Sequence, residues 1–218
     1  MIMKIGILGS GHIGSTLGRY WARAGHVVFF SSRHPNDLQK LAKEAGSGAQ
    51  AGTLEEAARF GDVLLLAIPW RNRESLPNAG LFSGKVVIDA MNPYTAFGSV
   101  IDLGDSSSSE EVATLLPGAR LVKAFNTMAF QDLKRGAFRT GKDRWVVYVA
   151  GDDADAKRIV FGLTEEIGFV PIDTGSLREG GRMQQPGTTL YRGWRPLQRT
   201  EPLTEDQARA TLQSLKKG

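Results

Sequence analysis

Three glycines at a fixed spacing follow the first apolar run of the chain. Gly9, Gly11 and Gly14 come directly after Lys4–Leu8, a pattern typical of a strand, a tight turn and a helix. In such a turn the first glycine permits the bend, the second leaves room for a pyrophosphate, and the third lets the helix pack on the strand. Backbone N–H groups at the helix start would then bind the phosphates. The spacing therefore predicts a dinucleotide-binding turn.

The end of the second predicted strand indicates which dinucleotide would bind. Its residues are Ser31, Ser32 and Arg33, where NAD-binding proteins usually place Asp or Glu to accept hydrogen bonds from ribose hydroxyls. A carboxylate would repel a 2′-phosphate, whereas hydroxyl groups and a guanidinium can donate hydrogen bonds to it. We therefore predict NADP(H) as the cofactor. An ordinary solvent-exposed loop is the alternative, and both roles are open for His34 and Asn36.

Composition limits the classes of protein that this chain can be. The 218 residues, 41% of them hydrophobic, suit one domain with a short appendage. No apolar run reaches the roughly 20 residues of a membrane span, and the start has no cleavable leader pattern, so we expect a cytoplasmic protein without a membrane partner. Zero cysteines and three histidines predict no metal site. A net charge of +4 without a Lys/Arg-rich block predicts no nucleic-acid partner.

Apolar runs alternate with helical patterns along the rest of the chain. The predicted strands are 62–67, 85–89, 120–125, 145–150 and 169–173, and the predicted helices are 35–46, one from Thr53, one running to Leu116, 152–168 and 204–217. The Pro in the last strand favours a position at the edge of the sheet. This alternation predicts an α/β fold with a doubly wound, mostly parallel sheet, the Rossmann fold, and ligands at the carboxyl ends of its strands.

Four short signatures give the chain a family resemblance. They are Gly-Ser-Gly-His-Ile-Gly (9–14), Ser-Ser-Arg (31–33), Ala-Ile-Pro-Trp (67–70) and Lys-Ala-Phe-Asn-Thr (123–127). Together they resemble the coenzyme F420-dependent NADP oxidoreductase family, whose dinucleotide domain is also similar to the cytosolic domain of transmembrane ferric reductases. The resemblance covers residues 2–174 and implies hydride transfer between NADP(H) and a small-molecule redox acceptor, with coenzyme F420 as the first candidate.

The resemblance also implies roles for individual residues. Ser10–Ile13 would bind the pyrophosphate and Ser32 with Arg33 the 2′-phosphate, while the later strand ends would surround the ribose and the nicotinamide. The candidate cofactor-binding residues are Gly9, Ser10, Gly11, His12, Ile13, Gly14, Ser31, Ser32, Arg33, Ala67, Ile68, Pro69, Trp70, Asn92 and Asn126. No catalytic side chain is assigned.

The positions of these residues agree with the resemblance, because each follows a predicted parallel strand. For Trp70, Phe125 and Met128, plain core packing is an equal alternative. Asn126, an amide at a strand end, can hold the carboxamide or a ribose, and its alternative role is a helix N-cap. His12 is a candidate proton donor or a loop residue beside the phosphates.

Two segments depart from the family pattern. Asn36 and Asp37 stand where the family often has Lys, which weakens the expected hold on the 2′-phosphate. The tail is more polar than the apolar helices that build the acceptor pocket in deazaflavin-reducing members.

The polar tail carries the positive charge of the chain. The segment from Ser176 onward contains eight Lys and Arg residues and four Asp and Glu residues, so the whole net charge of +4 lies there. Its aromatic and guanidinium groups are Tyr191, Trp194, Arg178, Arg182, Arg192 and Arg195. We predict a dinucleotide-binding domain over residues 1–174 and a segment over 175–218 that completes the acceptor site or forms a homodimer contact. A solvated basic face is the alternative.

The sequence is also compatible with other functions. The acceptor could be a flavin, a quinone or a ferric chelate, and the same motifs would serve an NADP(H)-binding sensor without turnover. A methyltransferase is disfavoured by Arg33, which stands in place of the acidic ribose ligand.

Overall fold

In residues 1–193 and 201–215, which the computed structural model describes, eight strands form one sheet with helices on both faces. The strands are β1 (Lys4–Leu8), β2 (Val27–Ser31), β3 (Gln50–Gly52), β4 (Val63–Leu66), β5 (Val86–Asp89), β6 (Arg120–Lys123), β7 (Val146–Gly151) and β8 (Val170–Gly175). The helices are α1 (His12–Arg23), α2 (Gln39–Ala45), α3 (Leu54–Phe60), α4 (Ser108–Leu115), α5 (Phe130–Gly136), α6 (Ala154–Glu166), α7 (Glu179–Met183) and α8 (Glu205–Leu215).

The order of the sheet is β3-β2-β1-β4-β5-β6-β7-β8. Neighbouring strands are parallel except β6 and β7, which pair antiparallel. This confirms the predicted α/β fold with a mostly parallel sheet. The chain leaves the β3 edge and crosses to β4 on the other side of β1, so the order of the strands reverses between β1 and β4. An open sheet binds its ligand at the carboxyl ends of the strands beside such a point.

Local sequence explains where several elements begin. Thr53 caps α3, because its hydroxyl accepts from the Glu56 N–H at 3.2 Å while the Glu56 carboxylate accepts from the Thr53 N–H at 2.8 Å. Ser107 and Glu110 form the same reciprocal cap at α4. The strand that contains Pro171 lies at the edge of the sheet, as predicted.

Several features of the fold were not predicted, helix α7 among them. Strand β3 has three residues, too few for a periodic pattern, and the seven-residue helix α5 lacks the side-chain cap that marks the start of the equally short α3. The direction of β7 is also absent from the prediction, since a buried apolar run has the same composition in either orientation.

The carboxy-terminal segment packs against the β7–β8 side of the sheet. Leu190 and Ala208, both fully buried, form an apolar cluster with Val146, Tyr148 and Ile172. The Arg192 N–H donates to the carbonyl of Thr127 at 2.7 Å, which ties the segment to the loop after β6. Among the helices of the described residues, none combines the length and the apolar character needed to cross a bilayer.

Candidate functional site

The three glycines of the first turn occupy distinct environments. Gly9 has φ +101°, a left-handed conformation that glycine adopts without strain. A Cβ at Gly14 would lie 2.0 Å from the carbonyl oxygen of Gly9, so only glycine lets α1 approach the turn this closely. A Cβ at Gly11 would meet no atom within 4 Å. The N-cap of α1 is Gly11, which has no side chain to accept from the first backbone N–H groups, so with respect to the described residues these groups are available to an anion.

A cavity of about 690 Å³, the large cavity, lies at the carboxyl ends of β1, β2, β4 and β5. Twelve of the candidate residues line it: Gly9, Ser10, Gly11, His12, Ile13, Ser32, Arg33, Ala67, Ile68, Pro69, Trp70 and Asn92. Residues from four separate strand ends therefore converge on one cleft, at the edge of the sheet where the fold predicts a ligand.

The remaining three candidates lie elsewhere. Gly14 packs behind the turn against Gly9. Ser31 is fully buried and its hydroxyl donates to the carbonyl of Ile7 at 2.6 Å, so this hydroxyl joins β2 to β1 and does not line the large cavity. Asn126 lines a second, smaller cavity.

Charged side chains surround the part of the large cavity after β2. Arg33 and His34 line it together with Asp37, so a carboxylate shares the cavity with the guanidinium. Arg71 also lines the cavity and was not predicted, although its position directly after the Ala-Ile-Pro-Trp signature could have indicated it. Asn36 is not among the residues that line the cavity.

The small cavity, of about 210 Å³, adjoins the large one, and the two share Ile13, Ala90 and Asn92. Its other lining residues are Phe125, Asn126, Met128, Ala129, Phe130, Gln131 and Tyr191. Among the described residues that line it there is no Asp, Glu, Lys, Arg or His. The small cavity therefore suits an uncharged ring rather than an ion.

A reciprocal pair of amides joins the two cavities. The Asn92 side-chain amide donates to the backbone carbonyl of Asn126 at 2.9 Å. The Asn126 side-chain amide donates to Asn92 Oδ1 at 3.1 Å and to the backbone carbonyl of Gln184 at 2.9 Å. Within the described part of the chain, the buried Asn126 Oδ1 accepts no hydrogen bond. A buried acceptor without a donor is costly, so this oxygen is suited to a ligand that brings an N–H.

The positions of Asn126, Phe125, Trp70 and Met128 bear on their alternative roles. Helix α5 has Ala129 as its N-cap, so Asn126 does not cap it. Phe125 has φ +62°, an unusual conformation for a non-glycine residue, and it turns the chain sharply between β6 and Asn126. Trp70, Phe125 and Met128 are buried in the core and also line the cavities, so packing and ligand contact are compatible.

His12 lies at the junction of the two cavities. Its ring lines the large cavity and stacks on Phe130 of the small one, with 4.2 Å between ring centroids and 8° between planes. The stack closes part of the wall between α1 and α5.

A buried ion pair lies behind this junction. Asp89 ends β5 and Lys123 ends the neighbouring β6, and both side chains are fully buried with 3.0 Å between Nζ and Oδ2. Burial lowers the pKa of the Lys123 ammonium, and the negative charge of Asp89 opposes that shift. The pair was not predicted, although a charge at the end of each apolar strand could have indicated it.

The tail contributes to the small cavity through one aromatic residue. Tyr191 lines it and forms a hydroxyl–hydroxyl hydrogen bond of 2.9 Å with Tyr94. The guanidinium of Arg182 donates to the backbone carbonyls of Gly104 and Asp105, and that of Arg192 to the carbonyl of Tyr191. Neither guanidinium lines either of the two cavities. Arg178 is exposed, and Trp194 and Arg195 lie outside the described residues.

Comparisons with known proteins identify similar chains. Residues 4–93 match the family model described as NADP oxidoreductase, coenzyme F420-dependent. A hypothetical protein from Sinorhizobium meliloti, known from its crystal structure, is 31% identical with a TM-score of 0.78, over 94% of this chain and 97% of that one. A crystal structure from Arthrobacter sp. fb24, whose assignment as an F420-dependent NADP reductase is itself inferred, is 24% identical with a TM-score of 0.72, over 90% and 100% of the two chains.

Similarity also extends to a group of longer proteins. Metalloreductase STEAP3 of Rattus norvegicus is 31% identical over 193 residues, which make up 88% of this chain and 38% of that protein. Metalloreductase STEAP2 of Homo sapiens is 28% identical over 195 residues, with 88% and 37% covered. The chain thus spans less than two fifths of the length of these curated relatives.

Proposed function

Because this chain belongs to the coenzyme F420-dependent NADP oxidoreductase family, we propose that it transfers a hydride between NADP(H) and a second, planar redox molecule, with coenzyme F420 as the first candidate. One observation carries the proposal. A large cavity, with the glycine turn at Gly9 and Gly11 and the Arg33 guanidinium on its walls, adjoins a small cavity whose described lining residues are uncharged. The first suits a dinucleotide and the second a ring.

The described residues fit NADP(H). Gly11 leaves space beside the first N–H groups of α1, and the buried Ser10 hydroxyl has no protein partner within the described residues, so both are suited to the pyrophosphate. Arg33 and Ser32 would hold the 2′-phosphate, and Asn92 with Asn126 the nicotinamide end. NADPH supplies a hydride from C4 of its nicotinamide when bound.

Positioning and exclusion of water are what the protein itself contributes. Direct hydride transfer between stacked rings depends on orientation rather than on a strong acid or base. The walls formed by Ile13, Phe125 and Phe130 would exclude water from the small cavity, and Asn126 Oδ1 would fix the orientation of a carboxamide. We therefore assign no proton-transferring side chain.

The uncharged lining of the small cavity favours the ring of a deazaflavin, with a flavin or a quinone as alternatives. Ferric reduction is a second candidate, supported by the similarity to the metalloreductases. A ferric ion accepts one electron whereas a hydride carries two, so ferric reduction would require a flavin-type carrier in the same cavity. A non-catalytic NADP(H) sensor would show the same motifs.

We further propose that the segment from residue 175 onward completes the acceptor side. Tyr191 in the wall of the small cavity and the Gln184 carbonyl that accepts from Asn126 support this role. A contact between two copies of the chain is the alternative role for the same segment.

Steady-state assays test the proposed function. NADPH oxidation should be measured with F420, FMN, quinones and ferric chelates, the last with and without added flavin. Turnover with F420 in preference to the others supports the first candidate, and ferric reduction that depends on added flavin supports the second. Tight NADPH binding without turnover for any acceptor would support the sensor, and absence of NADPH binding would refute the proposal.

Asn126 offers a direct test of the nicotinamide end. The Asn126→Leu variant keeps the approximate volume but has no amide, so hydride transfer should slow by about tenfold, the scale of one lost buried hydrogen bond. Single-turnover NADPH oxidation with the best acceptor measures this step. Asn78→Leu, which removes a cap from the exposed turn at Ala79–Leu81, is the control and should keep the full rate. An unchanged rate in Asn126→Leu would contradict the assignment.

Asp37 should limit the preference for the phosphorylated dinucleotide. The Asp37→Asn variant removes a negative charge from the cavity wall shared with Arg33, so NADPH affinity should rise roughly fivefold, as expected for about 1 kcal/mol between two exposed charges. NADH lacks the 2′-phosphate, so its affinity should stay constant. Calorimetric titrations at low salt measure both, with Asp155→Asn on the exposed first turn of α6 as the control. A rise of equal size in NADH affinity would argue against an effect of Asp37 on the 2′-phosphate.

A further inference from the structure

The buried ion pair holds one residue of the chain at two points. Asp89 Oδ1 accepts from the Met91 N–H at 2.9 Å, and Lys123 Nζ donates to the Met91 carbonyl at 2.5 Å. Opposite charges at the ends of neighbouring strands thus bind the donor and the acceptor of a single residue. Met91 is thereby fixed in the loop that leaves the sheet toward the cavities.

Two serines complete the cluster around the pair. The Ser109 hydroxyl donates to Asp89 Oδ2 at 3.0 Å, and the Ser108 hydroxyl accepts from Lys123 Nζ at 3.4 Å. Both serines lie in the first turn of α4 and are fully buried. The cluster therefore orients the loop relative to a helix as well as to the sheet.

The fixed residue lies next to the cavity wall. Met91 lines the large cavity, and Asn92, which follows it, lines both cavities and exchanges hydrogen bonds with Asn126. The contacts run from the ion pair through the backbone of Met91 to the amides at the junction of the cavities.

Stability of the fold alone does not account for this arrangement. Removal of two charges from water is costly, and apolar residues of similar size would often stabilise two neighbouring strands equally well. Neither charged side chain lines either of the two cavities, so neither would touch a ligand there. What the pair provides, and an apolar pair could not, is a donor and an acceptor directed at Met91.

We propose that Asp89 and Lys123 are positioning residues, which hold Met91 and Asn92 in the conformation that receives the nicotinamide half of the dinucleotide. This inference rests on the proposed function, because it requires that NADP(H) binds in the large cavity.

The test compares a whole ligand with half of it. The Lys123→Met/Asp89→Asn double variant is uncharged, keeps a side-chain oxygen at position 89 as acceptor for the Met91 N–H, and removes the donor to the Met91 carbonyl. Calorimetry should show NADPH binding about tenfold weaker, the scale of one lost buried hydrogen bond, while the half ligand adenosine 2′,5′-bisphosphate, which lacks the nicotinamide half, binds as before. Arg120→Met is the matched control, because it breaks an ion pair at the opposite end of β6 and should alter neither affinity.

A general loss of structure would weaken the binding of both ligands equally. An equal loss of affinity for the two ligands in the folded double variant, or no loss of affinity at all, would therefore overturn the inference. Ser109→Ala is a milder variant that removes one hydroxyl donor to Asp89. It should weaken NADPH binding by a few-fold without affecting the affinity for the half ligand. If the double variant does not fold, equal binding of NADPH to Ser109→Ala and to the unmodified protein would overturn the inference. An unmodified protein that binds neither ligand would refute the proposed function itself, a different outcome from selective failure of the nicotinamide half.

Discussion

The Gly11→Val variant should lose NADPH binding while keeping its fold. A Cβ at Gly11 meets no atom of the described residues within 4 Å, and Gly11 lines the large cavity, so we expect the valine side chain to enter that cavity without displacing those residues. It would occupy the space beside the first turn of α1 where the pyrophosphate is proposed to bind. Calorimetry should detect no binding, and the melting temperature should match that of the unmodified protein.

A second glycine of the same turn provides the control. A Cβ at Gly14 would lie 2.0 Å from the Gly9 carbonyl oxygen, so Gly14→Ala should destabilise the protein by about 1–3 kcal/mol, the scale of an overpacked site. Gly11→Val should thus abolish ligand binding, whereas Gly14→Ala should lower the stability of the fold. Unchanged NADPH affinity in a folded Gly11→Val variant would show that the turn is purely structural.

The Arg33→Ala variant should lose most of the preference for NADPH over NADH. The guanidinium lines the large cavity after β2, where it can donate charge-assisted hydrogen bonds to a 2′-phosphate. We expect a preference of about 2–3 kcal/mol in the unmodified protein, and most of it should disappear in the variant. NADH affinity should be nearly unchanged.

Fluorescence titration with both dinucleotides at fixed low salt measures this difference, since exposed charges are screened by salt. Arg59→Ala is the matched control, because that guanidinium pairs with Glu55 on the outside of α3. Equal affinity of the unmodified protein for NADPH and NADH would contradict the choice of NADP(H).

The fold was predictable from the sequence because its signals are local. Gly9, Gly11 and Gly14 mark the turn, and Thr53 with Glu56 marks the start of α3 through a cap that four residues complete. The apolar strands determine the position of the cleft, since the carboxyl ends of parallel strands lie at one edge of the sheet. Most residues of the large cavity follow from the same rule, because they come just after β1, β2, β4 or β5.

The parts that were missed depend on contacts between distant residues. Lys123 and Asp89 are separated by 34 positions, and only the register of β5 and β6 brings their side chains together. Ser31 has a hydroxyl suitable for a phosphate, but the strand pairing directs it to the Ile7 carbonyl. The role of the tail stays a prediction, and the contacts of Arg182 could not be predicted because its guanidinium donates to backbone carbonyls far away in sequence.

The two adjoining cavities come from different stretches of the chain. The residues of the large cavity lie between positions 9 and 94, whereas the small cavity is built mainly from residues 125–131 and 191. If the small cavity receives the acceptor as proposed, mutations in the second set other than at Asn126 would alter which molecule is reduced, while the first set would continue to bind the same electron donor. Descendants of one ancestral gene could diversify in their acceptors and still share an almost unchanged amino-terminal half.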